Sequence, residues 1–130
     1  MELLSKNKHV KFLKVVGNSM YPTLVADDIL IVSDQRKLNI GDIISFYSEH
    51  SIIITHRIIK FNAEFVTTKG DNRWKQDKPV NLDQVIGVIR QGIRVNKKGA
   101  SVRIDYSHKS APGFFYRLYY FFLTLRTTIS

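Results

Sequence analysis

At 130 residues and 15.1 kDa, with 44% hydrophobic and 24% charged residues, the chain is long enough for one domain with its own core and too apolar to be disordered over most of its length. It has no cysteine, which excludes disulfides, a thiolate nucleophile and cysteine-ligated metal. The formal charge of +9 is uneven: residues 1–89 hold 12 Lys/Arg against 10 Asp/Glu, whereas residues 90–130 hold 8 against Asp105 alone, so the C-terminal third is the part that attracts a polyanion.

In chain order, the opening stretch MELLSKNKHVKFLKVVG scatters lysines among its apolar residues and reads as neither a secretory signal nor a membrane anchor. From Val10 to about residue 104 the pattern predicts short strands at VKFLKVV, DILIVS, DIISFYS, SIIITHRIIKF, EFVTT, QVIGVIRQGIRV and SVRID. They are rich in Ile, Val, Phe and Thr and are separated by the turn signals ADD, NIGD, KGDN, DKP and NKKG. The expected domain, residues 1–110, is mainly β with an antiparallel sheet. The apolar run in SIIITHRII is too long for clean alternation and predicts a strand covered on both faces.

After Pro112 the composition shifts. PGFFYRLYYFFLTLRTTIS packs seven aromatics between Phe114 and Phe122, and predicts a C-terminal helix within residues 111–130. It is too short in apolar residues to span a bilayer, which suits it to lying in the interface or to packing against the β domain or a second subunit. A peripheral membrane contact through residues 112–126 is therefore expected, with basic residues facing anionic headgroups.

Four polar positions stand out for chemistry: Ser19 in GNSMYPTL, His56 inside the buried strand, Asp71 in TKGDNR and Asp77 in KQDKP. A hydroxyl is a poor nucleophile until a base takes its proton, and an imidazole is suited to that near neutral pH. Of the four histidines, His9 and His108 sit in lysine-rich stretches and His50 at a strand turn, leaving His56 the best placed. A carboxylate on the other ring nitrogen would fix the tautomer. Singly, each has an ordinary reading: a serine capping the turn before Pro22, a half-buried strand histidine, two turn aspartates.

Taken in order over residues 15–90, the blocks GNSMYPTL, DDILIV, NIGDIISF, THRII, TKGDNRWKQD and VIGVI resemble the type I signal peptidases. The branch resembled is the one of archaea, the endoplasmic reticulum and some spore-forming bacteria, within the S24/S26 serine peptidases, in which histidine replaces the lysine of the common bacterial enzymes. The resemblance implies a coiled antiparallel β-sheet domain of the signal peptidase and LexA-like fold. It implies a serine endopeptidase that cleaves signal or leader peptides from precursors without a cofactor or metal. Ser19 would be the nucleophile and His56 the general base. Asp71 and Asp77 would be the acidic residues, one of them orienting His56, with Asp71 favoured.

Two departures from the family pattern stand out. Gly17 occupies the position at which many members carry a serine that helps hold the oxyanion, leaving the backbone N–H of Ser19, helped by Asn18. The N-terminal membrane anchor of most relatives is also missing, so a peripheral membrane location is expected, with the cytoplasmic face open to it. Self-cleaving repressors share the framework and the GxSM block but use lysine as base, and no Ala-Gly cleavage segment precedes the core here. A non-catalytic basic β module binding membrane or nucleic acid is the alternative from another class. No recognised nucleic-acid motif accompanies the charge, so no specific nucleic acid is expected. A steep salt slope in filter binding without labelling of Ser19 would favour that module.

Overall fold

The computed structural model describes residues 2–3, 11–34, 37–107 and 110–111. The β-branched and aromatic runs form β1 (Glu2–Leu3), β2 (Lys11–Lys14), β3 (Ile29–Ser33), β4 (Ile43–Tyr47), β5 (Ile53–Phe61), β6 (Phe65–Lys69), β7 (Val80–Asn81), β8 (Val85–Val95) and β9 (Ser101–Asp105), with a single 3-10 turn at Leu82–Gln84. All seven strands expected from the pattern are present. β1 and β7, two residues each, carried too little sequence to announce themselves.

The strands join in the order β1-β2-β3-β8-β4-β5-β6-β7, every pair antiparallel, with β9 on β8. β8 is the spine. One edge pairs with β3; the other is shared, β4 taking Val85 to Ile89 and β9 taking Gln91 to Val95. Register shifts at Ile31/Val32, Ser45/Phe46 and Ile58/Lys60 add local twist, and a sheet so twisted curls on itself.

The curl buries both faces of the central strands. Ile43 and Ile89 pack with Leu13, Val15, Met20, Leu24, Leu30 and Val32, while their chain neighbours Ile44 and Val88 point the other way onto Phe46, Ile58, Val66 and Val80. In β5, Thr55 to Ile58 are all buried, as the unbroken apolar run predicted. Ser45 and Thr55, directly opposite in the β4–β5 ladder, share a buried hydroxyl hydrogen bond of 2.5 Å.

The expected C-terminal helix and the membrane contact of residues 112–126 lie outside the described residues. Among those described, no helix is long and apolar enough to cross a membrane.

Phe46 is 1% exposed at the centre of the second core cluster. Phe46→Ala should lower unfolding free energy by about 3–5 kcal/mol in a urea titration, with the m-value unchanged.

Candidate functional site

The turn that follows β2 carries Ser19. Gly17 enters it with φ of +84°, in the left-handed region, where a serine would be strained. The turn closes with Tyr21 N–H donating to Asn18 O and Leu24 N–H to Met20 O, and Met20 and Leu24 anchor it in the core.

β5 carries His56. Alternation sends His56 and Arg57 to opposite faces of the strand, and each finds an aspartate of the β6–β7 loop. His56 Nδ1 lies 2.5 Å from Asp77 Oδ2, and its Nε2 lies 3.0 Å from Ser19 Oγ. An ionised carboxylate only accepts, so Nδ1 carries the proton and Nε2 presents its lone pair to the serine O–H. Thr68 Oγ1 also donates to Asp77 Oδ2 (2.7 Å), and Asp77 N–H returns to Thr68 O (2.8 Å), which holds the carboxylate against β6. Burial acts to raise the Asp77 pKa, but the hydrogen bonds from His56 and Thr68 and the charges of His56 and Lys69 outweigh it and leave Asp77 below the ordinary carboxylate value.

Asp71 has a different place from the one favoured on sequence. It does not touch His56. Its Oδ1 accepts from Arg57 Nε (2.9 Å), and its Oδ2 from Arg57 Nη2 (2.8 Å) and Thr23 Oγ1 (2.6 Å), while its N–H points to Met20 Sδ (3.2 Å). Only 2% of Asp71 is exposed. Asp71 thus spends its side-chain bonds on Arg57 and Thr23, and it is Asp77 that meets the imidazole.

The same loop stitches the Ser19 turn in place. Asn72 N–H donates to Ser19 O (2.9 Å), and Asn72 Nδ2 to Asn18 O (3.0 Å). Gly70 makes this approach possible: a Cβ there would stand 2.6 Å from Ser19 O and 3.1 Å from His56 Nε2. On its far side the turn is held by Asp28, whose carboxylate takes Arg94 Nε (2.9 Å), Arg94 Nη2 (2.8 Å), Val25 N–H (3.0 Å) and the Tyr106 hydroxyl (3.2 Å). Burial, then the neighbouring Asp28 charge, push the Tyr106 phenol well above its usual value, so it stays a neutral donor. Asp28, first of all through its hydrogen bond, raises Arg94 further and keeps it cationic.

Asn18 is exposed, and its Oδ1 faces Arg73 Nη2 at 3.4 Å. Among the described residues, the backbone N–H groups of Asn18 and Ser19 donate to no protein acceptor. His50 is exposed in the β4–β5 turn, and His9 and His108 lie outside the described residues. No cluster of three or more His, Asp or Glu among the described residues is placed to hold a metal ion. Sequence reasoning missed Arg57, Thr23, Thr68, Asp28, Arg94 and Tyr106. Only Arg57 carried a signal, as the charged neighbour of His56 inside a buried strand, where a charge demands a partner.

The Peptidase S24-like family model matches residues 1–90, a stretch that holds Gly17, Asn18, Ser19, His56, Asp71 and Asp77. The chain belongs to this family. No curated protein and no solved structure matches it. The curled antiparallel sheet is the fold of S24-like domains, and membership makes the chain a serine peptidase by family.

The two aspartates separate by experiment. Asp71→Asn should cost about 3–5 kcal/mol in chemical denaturation, because it leaves a buried guanidinium without its counter-ion. Asp77→Asn, at a half-exposed position, should unfold close to the parent and lose its effect chiefly in the reactivity of Ser19.

Proposed function

We propose that this chain is a serine endopeptidase that removes signal or leader peptides from precursor proteins, with Ser19 as nucleophile, His56 as general base and Asp77 as the residue that orients it. One observation carries the reading: an unbroken line of hydrogen-bonded atoms from Ser19 Oγ through both nitrogens of His56 to Asp77 Oδ2, drawn from three distant parts of the chain. A structural role for these residues would not require that order of contacts.

In this mechanism His56 Nε2 takes the Ser19 proton as Oγ bonds to the scissile carbonyl carbon, and the imidazolium is stabilised by Asp77. The oxyanion that forms is met by the N–H groups of Ser19 and Asn18, which among the described residues donate to no protein acceptor and stand in for the missing serine hydroxyl at Gly17. His56 then returns the proton to the leaving amine. Water, deprotonated by the same ring, releases the acyl group from Ser19. The resemblance to the Ser-His branch of type I signal peptidases over residues 15–90 supports precursor cleavage, and the basic C-terminal third supports action at a membrane surface.

A second reading, self-cleavage of the repressor type, draws on the same S24-like match. Histidine in the base position speaks for cleavage of a separate substrate. Intact mass after long incubation at high pH distinguishes the two. Trimming at a rate independent of protein concentration, and absent in Ser19→Ala, would mark self-cleavage; an unchanged mass is the expected result.

Ser19→Ala and His56→Ala should each abolish cleavage of the precursor and labelling by a fluorophosphonate, with far-UV circular dichroism unchanged. Because Asp77 is held below the ordinary carboxylate value, it is anionic throughout the range in which an imidazole titrates. The labelling rate should accordingly rise with pH as the loss of one proton, with a limiting slope of one on a logarithmic plot. Asp77→Asn should lower the plateau by about 10³–10⁴-fold through the wrong tautomer. A Ser19→Ala protein that still cuts the precursor at the parent's rate would refute the proposal.

A further inference from the structure

The loop that carries Asp77 also turns several cationic side chains outward. From Lys69 to Lys78 the sequence KGDNRWKQDK sets Lys69, Arg73, Lys75 and Lys78 against two carboxylates. Both carboxylates are committed, Asp71 to Arg57 and Asp77 to His56. The loop therefore turns a positive surface to solvent, with Arg73, Lys75 and Lys78 all exposed.

Arg73 reaches back toward His56 and the Ser19 turn. A Cβ on Gly70 would meet Arg73 Cγ at 3.0 Å and His56 Nε2 at 3.1 Å, so the arginine stem and the ring nitrogen flank the same point. Its guanidinium continues to Asn18, the residue before the nucleophile, with Nη2 at 3.4 Å from Asn18 Oδ1 and Nη1 at 3.3 Å from Asn72 O. Both acceptors are neutral and both bonds are long. Among the described residues no carboxylate lies within ion-pair distance of Arg73. In the hydrolysis proposed above, a peptide laid across Ser19 would cover this edge. Covering a guanidinium without an anion costs free energy, whereas a carboxylate meets its planar fork with two parallel hydrogen bonds.

We infer that Arg73 is a specificity residue that recognises an Asp or Glu side chain beside the scissile bond of the substrate. The inference rests on hydrolysis at Ser19 as proposed above and narrows the substrate class to segments acidic near the cut. At a position this exposed, the acid should be favoured over its amide by about fivefold in kcat/KM, and less at high salt.

The test uses the full chain and octapeptides randomised at every position, with cut sites read by mass spectrometry. Glu/Gln pairs at the selected position then give kcat/KM, and a neutral fluorophosphonate reports labelling of Ser19. The parent should favour Asp and Glu at one position. Arg73→Gln should bring the Glu/Gln ratio to about one, Arg73→Lys should keep part of it, and Arg73→Glu should turn the preference toward Lys and Arg at that same position. A ratio that survives Arg73→Gln overturns the inference, as does a loss that slows both members of the pair alike and preserves the ratio. If the parent labels at Ser19 and cuts without acidic preference, the inference alone falls. If Ser19 neither labels nor cuts, the hydrolytic reading falls and takes the inference with it.

Discussion

The buried pair of Arg57 and Asp71 is the constraint on which the rest of the site depends. Arg57 enters the interior because it sits beside His56 in a strand covered on both faces, and a guanidinium there must be met by an anion. Asp71 meets it at 2.8 and 2.9 Å and at the same time accepts from Thr23 in the nucleophile turn. One carboxylate thereby joins three segments that are far apart in sequence. The placement of Ser19, His56 and Asp77 follows from that junction, since each lies on one of the three.

The arrangement separates two tasks that a pair of aspartates in one loop could have confused. Asp71 is almost fully buried and accepts its three side-chain hydrogen bonds from Arg57 and Thr23, whereas Asp77 is half-exposed and shares one oxygen between His56 and Thr68. A frame residue gains from burial because a desolvated, fully bonded ion pair admits few alternatives. A relay residue needs to respond to a charge that appears on the imidazole, and partial solvent access keeps that response inexpensive. The second carboxylate–arginine pair, Asp28 with Arg94, repeats the framing device on the other side of the turn, where Arg94 Nη2 also reaches Thr23 O at 3.4 Å. The turn that carries Ser19 is thus held between two ion pairs.

Membership of the Peptidase S24-like family and the geometry of the relay bear on different questions. The family match covers the stretch in which all the framing and relay residues but Arg94 and Tyr106 occur, and it points to serine peptidase chemistry. The surface around Ser19 bears on what is cut: the cationic rim of the β6–β7 loop and the unoccupied N–H groups of the turn are features of this chain's own residues.

Much of this was legible in the sequence. The seven long strands followed from β-branched runs and turn signals, and Ser19 and His56 stood out because a glycine turn and a buried strand are unusual places for a hydroxyl and an imidazole. That Arg57 faces away from His56 was not read from the sequence, although strand alternation requires it. Which aspartate serves which partner was decided only by the tertiary structure. KGDN and QDKP are equally good turns, and local spacing says nothing about where a loop crosses a neighbouring strand. The absence of a side chain at Gly70 lets the loop close onto Ser19 O, and that close approach carries Asp71 past the imidazole to Arg57 and leaves Asp77 to return beside Thr68. Pairings of this kind depend on the distance between segments brought together by the curl of the sheet, a quantity that no local pattern encodes.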